Sequence, residues 1–197
     1  PKNSIPLFNG AYEDDLEEFN KFINALNYKS KDKKSIIGGI HCLNVKNSII
    51  FFDAGEPPEK SFSRCYQSGP LSFEYYMDGE KIITNCGFGS NISPKAKLLS
   101  RLTSAQSTLT INDTSVTRFE RNKIVNKIFG NSIKNTFKVS NINFVESDKN
   151  LKLTASHNGY EQNFGCIHRR EIAINKETKY LIKRYFYDLR KSCEYTY

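Results

Sequence analysis

From residue 36 onward the chain is cut into short apolar runs by residues that reverse a backbone, and that punctuation favours antiparallel sheets. Residues 36–45 and 48–53 flank Lys46-Asn47, a tight turn. Residues 71–77 and 81–85 flank Asp78-Gly79, whose members both tolerate positive φ and so signal a hairpin. Gly55-Glu56-Pro57-Pro58 closes the first pair, because neither proline can donate to a strand ladder. Residues 107–112 read as a further strand. Residues 137–146 and 151–157 form another hairpin, Asn158-Gly159 turns into 164–174, and 179–187 follows. Residues 124–135 fit either a loop or a short strand. Roughly ten or more strands at this spacing predict a mainly β fold, an antiparallel β-sandwich.

One short helix precedes the strands. Leu16, Phe19, Phe22, Ile23 and Leu26 recur at three- and four-residue steps, giving a single apolar stripe over residues 14–26. Glu13, Asp14, Asp15, Glu17 and Glu18 crowd its start, where the helix dipole favours negative charge. This stripe is expected to pack against the rest of the protein. The chain divides into a helix with its connector (1–35), a sandwich (36–190) and a tail without structural signal (191–197).

A chain of 197 residues can bury one sizeable core. Its net charge of +8 suits an acidic partner: a uronic-acid polysaccharide, nucleic acid or lipid head groups. Abundant Lys, Asn and Ile would also follow from an AT-rich genome, so part of that charge is compositional. Nucleic acid has only the charge in its favour, since no helix-turn-helix, RNA-recognition or finger motif accompanies it. No run reaches transmembrane length, and Pro1-Lys2-Asn3-Ser4 leads into no apolar signal core. Cys42, Cys65, Cys86, Cys166 and Cys193 include no CxxC pair; they read as free, largely buried thiols, with a Cys65–Cys86 contact open.

Two loops of small polar residues feeding strands carry the functional information. They are Ser63-Arg64-Cys65-Tyr66-Gln67-Ser68-Gly69-Pro70 and Arg101-Leu102-Thr103-Ser104-Ala105-Gln106-Ser107-Thr108. With Asp53-Ala54-Gly55, Leu71-Ser72-Phe73-Glu74, Ile83-Thr84-Asn85-Cys86-Gly87, Ser156-His157-Asn158-Gly159-Tyr160 and His168-Arg169-Arg170, their order resembles the C-terminal β-sandwich of the heparinase II/III-like polysaccharide lyases. Leu7-Phe8-Asn9-Gly10 resembles the join to that family's N-terminal helical toroid. The resemblance runs over about residues 7–174.

It implies a bacterial lyase system acting by β-elimination on a uronic-acid polymer, placed in the cell envelope or periplasm rather than the cytoplasm. A base removes the proton beside the uronic carboxylate, and an acid releases the glycosidic oxygen. In the family, toroid residues do most of this work and a sandwich histidine assists. The matching positions here are Cys65, Gln67, Asn85 and Gln106, where relatives carry histidines and an aspartate. In some members His, Asp and His at the last three bind a divalent metal. Amides are poor zinc ligands, so no metal and no cofactor is expected, and the three carboxamides should hydrogen-bond among themselves instead. The chain alone is then expected to be inactive; the other reading is a non-catalytic carbohydrate-binding or scaffolding module descended from such a lyase. A helical N-terminal partner domain and self-association through the face it would cover are further expectations.

Arg64, Tyr66, Gln67, Arg101 and Gln106 form the expected sugar-binding set, aromatic faces taking sugar rings and Arg the carboxylate. Their bland alternative is a rim hydrogen-bond network without ligand. His157 and His168 lie on two arms of one hairpin, either as a structural pair or as groups contacting an acidic sugar. Strand alternation lets only one of Arg169 and Arg170 share the face of His168, and that one would suit a carboxylate or sulfate. His41, alone in an apolar run, reads as structural, and the basic stretch 118–134 as a solvated face.

Overall fold

The computed structural model describes residues 5–12, 16–28, 35–178 and 181–189. Five strands form the first sheet: β1 (Ile36–Ile37), β2 (Ile40–Val45), β3 (Ser48–Asp53), β4 (Phe73–Met77) and β5 (Glu80–Ile83), in that order and antiparallel throughout. The second holds β6 (Val139–Glu146), β7 (Asn150–His157), β8 (Cys166–Asn175) and β9 (Leu181–Leu189), again in sequence order. Every neighbour in space is therefore a neighbour in sequence. The helices are α1 (Leu16–Ala25), α2 (Pro94–Leu99), α3 (Lys123–Phe129) and the single turn α4 (Glu161–Phe164).

The turn residues take the left-handed backbone, at Asp78-Gly79 as their chemistry favours and at the other hairpin through Lys46 rather than Asn47. Asp78 and Gly79 take φ of +53° and +94°, and Lys46 takes +52°. The two hairpin tips are tied together, Asn47 Nδ2 donating to Asp78 Oδ1 at 2.6 Å. Alternation then sends one residue in two inward. Ile50, Phe52, Phe73 and Tyr75 from the first sheet meet Leu151, Leu153, Ala155, Ile172 and Ile174 from the second in one apolar cluster. Each large side chain so buried contributes about 1.5–3 kcal/mol, which makes this shared layer the main stabilising element. A smaller cluster of Tyr66, Val116, Ile133, Phe137, Tyr160 and Cys166 lies under the loops.

Several expectations are corrected. Nine strands lie among the described residues rather than ten or more. Residues 107–112 make only an isolated bridge between Ile111 and Thr114. Side chains take the place of a ladder there: Ser107 bonds both N and O of Phe73, and Thr108 Oγ1 donates to Pro70 O at 2.6 Å. Within 124–135 the chain forms α3, capped by Asn122 Oδ1 accepting from Ile124 N and Val125 N and ended by Gly130 at φ +69°. Helix α1 exists, but Phe19 and Phe22 stand 57% and 60% exposed. An amphipathic pattern states that a face favours burial, not what covers it. Glu13 to Asp15, most of the connector and the tail 191–197 lie outside the described residues.

Candidate functional site

The long connections after β3 and after β5 meet at one rim, and three carboxamides are built into it. Gln67 Nε2 uses both protons, donating to Gly87 O and to Ser100 O at 3.0 Å each, while its Oε1 accepts from Gly10 N at 3.0 Å. Gln106 Nε2 donates to the same Ser100 O at 2.7 Å. Asn85 Oδ1 accepts from Ser107 N at 2.9 Å, which fixes the amide orientation; its Nδ2 is buried without a hydrogen-bond partner among the described residues. The close fit requires glycine at Gly69, where a Cβ would stand 2.9 Å from Gln106 Cγ. The expectation that the amides bond one another is therefore wrong. Backbone carbonyls take the protons of Gln67 and Gln106 instead.

The expected sugar-binding set divides. Arg101 is fully buried and spends its guanidinium on three carbonyls: Tyr66 O at 2.8 Å, Asn131 O at 2.5 Å and Ser63 O at 2.7 Å, with the Phe119 ring 4.0 Å from Cζ. Burial lowers its pKa to about 10, so it stays charged at neutral pH. Tyr66 is a core residue, its phenol pushed far up by burial and then by the Asp53 carboxyl. Neither offers a face to a sugar. Arg64 is exposed, its stem lying over Gly130 and Nη2 donating to Ile128 O at 2.9 Å. Cys65 and Cys86 are exposed free thiols rather than buried ones, Cys42 is partly buried, Cys166 is buried, and Cys193 lies outside the described residues.

His157 and His168 face each other across β7 and β8, fully buried, with Nε2 of the first 2.9 Å from Nδ1 of the second. Gly159 N donates to His157 Nδ1. His157 must then carry its proton on Nε2 and donate it to His168, whose own proton sits on its Nε2. Burial lowers both pKa values far below 6.5, and the Arg170 charge lowers them further. The pair is a neutral core element. Because the unfolded chain binds protons that the folded rings refuse, their contribution is complete above pH 6.5 and lost as pH falls. Each ring costs about 1.4 kcal/mol per pH unit in that window. Urea midpoints should fall from pH 7 to pH 5; a midpoint that rises on acidification would contradict a pair held neutral in the fold.

Arg170 shares the inward face with His168, and Arg169 is exposed on the other. Arg170 is not set out for a carboxylate: Nη1 donates to Leu71 O at 2.5 Å and Ser107 O at 2.6 Å, and its Cζ lies 5.3 Å from the Phe73 ring. It fastens the rim loops to the second sheet. His41 is buried in β2, its pKa lowered by burial.

Two buried carboxyls at the rim stand in stretches that carry the family resemblance but were assigned no role from sequence. Glu74 Oε1 accepts from Leu7 N, Thr84 Oγ1 and Asn85 N, and its Oε2 from Tyr76 OH at 2.5 Å. Asp53 ends β3, accepting Gly55 N at 2.9 Å and, more loosely, Asn9 Nδ2 at 3.5 Å. Desolvation raises its pKa to about 7. The Asp-x-Gly strand end was legible, and the burial of its carboxyl was not.

The residues present do not fit a divalent metal. Amide nitrogens and carbonyl oxygens already satisfy one another where ligands would converge, and the neutral amides bring no charge to offset an ion. Among the described residues no group of three His, Cys, Asp or Glu side chains is placed to hold one.

Comparison with known proteins places this geometry. The family model described as Heparinase II/III-like, C-terminal, matches residues 32–183. Heparan sulfate lyase HepC from Pedobacter heparinus is similar in fold, with 16% identity and a TM-score of 0.57 over 88% of this chain and 28% of that one. The heparinase III BT4657 gene product aligns with 14% identity and a TM-score of 0.59 over 85% of this chain and 27% of that one. The chain thus spans little more than a quarter of the solved structures it matches. No curated protein matches its sequence.

Proposed function

This chain belongs to the heparinase II/III-like family, whose C-terminal domain it carries, and from that premise we propose that it forms the β-sandwich wall of a polysaccharide lyase cleft. The substrate class is a uronic-acid polymer, and the reaction is β-elimination: a base takes the proton beside the carboxylate, the glycosidic C–O bond breaks, a C=C bond forms in the ring, and an acid protonates the leaving oxygen. The wall contributes shape. Most of the hydrogen bonds its rim side chains make go to main-chain oxygen or to each other, and that is the observation that carries the reading. Arg101 is spent on carbonyls, Arg170 Nη1 bonds Leu71 O and Ser107 O, Gln67 and Gln106 bond Ser100 O, and the two histidines pair with each other. A base and an acid then come from outside these 197 residues, in an N-terminal domain of the parent protein.

The reading places the protein in a bacterial cell envelope, where such polymers occur, and leaves exposed Phe19 and Phe22 of α1 for a partner domain or a second copy. A carbohydrate-binding module without catalysis is the second reading, favoured by exposed Arg64 and Arg169 and by Phe62 on the turn beside Arg64. Ultraviolet absorbance of the unsaturated product separates the two. The protein expressed from its whole gene and residues 1–197 alone are each incubated with acidic polysaccharides. Product from the whole protein only is expected. Product from residues 1–197 alone would overturn the proposal, and binding without product from either would favour the second reading.

A further inference from the structure

We propose that the carbonyl oxygens of Gly87 and Ser100, gripped by Gln67, Gln106 and Cys86, form a metal-free clasp that cross-links this rim. Ser100 O collects Gln67 Nε2 at 3.0 Å and Gln106 Nε2 at 2.7 Å. Gly87 O collects Gln67 Nε2 at 3.0 Å and Cys86 Sγ at 3.1 Å. Two acceptors and three side chains thus join the first loop, the turn after β5 and the second loop at one point. An ion bound by side chains of the same three segments would make the same cross-link. Here neutral donors make it, with no charge to balance and no ligand to deprotonate.

The clasp also reaches a fourth segment. Gln67 Oε1 accepts Gly10 N, and Phe88 N donates to Ala11 O at 2.8 Å, so the stretch leading to α1 docks on the same point. Gly10 lies at φ +100°, and a Cβ there would stand 2.9 Å from Cys65 Cβ. Its fit needs both the missing side chain and the Gln67 acceptor. Gln67 is therefore a positioning residue: its nitrogen closes the rim and its oxygen seats the N-terminal stretch.

The test uses the whole protein and does not depend on lyase activity. Thermal unfolding is measured after dialysis against EDTA and again with zinc or manganese added. The midpoints should agree within roughly 1 °C, whereas an ion held in the folded state at a hundredfold excess over its Kd would raise the midpoint by roughly 5–10 °C. A rise of that size, abolished by Gln67→Met, overturns the clasp. Gln67→Met keeps the shape and removes both donors and the acceptor. It should lower the midpoint by roughly 5 °C or more and speed hydrogen exchange at the Gly10 amide. An unchanged midpoint with unchanged Gly10 exchange also overturns it. The chelator comparison needs no variant, so a Gln67→Met protein that fails to fold leaves the proposal falsifiable.

Discussion

Arg101→Met is expected to cost about 3–6 kcal/mol, enough to lower the melting midpoint by roughly 10 °C or more. The guanidinium reaches three carbonyls from two chain segments, Ser63 and Tyr66 on the first loop and Asn131 beyond α3; Ser63 O also accepts Tyr66 N at 3.1 Å. Bonds from a charged donor are worth about 1.5–3 kcal/mol each, and the loss is compounded because Tyr66 O and Asn131 O lose this charged donor in a buried setting. Methionine restores most of the volume, so the deficit reports the polar contacts rather than a cavity. Arg64→Met serves as the control, since Arg64 is exposed and bonds Ile128 O at the surface; it should change stability by less than about 0.5 kcal/mol. Equal and small losses from both would show that Arg101 is not the fastener described.

Asp53→Asn should do the opposite and stabilise the protein at alkaline pH. Its folded pKa, raised by burial to about 7 from 3.8, means that Asp53 gives up its proton less readily when folded. Its contribution is intact below about pH 4, is lost as pH rises toward 7, and stays lost above that. The accumulated cost is on the order of 4 kcal/mol. Asparagine keeps an oxygen for Gly55 N and carries no charge, so the variant should unfold at higher urea than the parent at pH 8 and converge with it near pH 4. The histidine pair has the reverse sign over the same window, so the parent's acid loss is partly cancelled by Asp53 and should steepen in the variant. A variant that is weaker than the parent at every pH would contradict the buried, costly carboxyl.

Much of the scaffold was legible because its signals are local. Asp78-Gly79 and Lys46-Asn47 announce hairpins by backbone preference alone, and the alternation of β7 announces which residues face the core. Helix α3 was missed because its start lies in one capping side chain, Asn122, and its seven residues are too few for a periodic stripe. The run 107–112 reads as a strand in composition, yet Ser107 and Thr108 bond backbone with their side chains. Gln67 and Gln106 converge on Ser100 O. Their partners were not legible, because backbone carbonyls carry no sequence signature. The same reason hid the fate of Arg101 and Arg170: the sequence marks a buried cation and a carboxylate-binding one identically, and only burial separates them.

The rim, then, is held by side chains bonded to main-chain oxygen, with uncharged amides at its centre. That arrangement suits a surface that shapes a cleft while proton transfer happens on groups supplied from elsewhere. Anomalous X-ray scattering from crystals of the whole protein soaked in zinc or manganese puts the centre of this account to the test. The account predicts Gln67 and Gln106 nitrogens on Ser100 O and no anomalous peak among Gln67, Asn85 and Gln106; a peak there, with the amides turned to present oxygen, would contradict it.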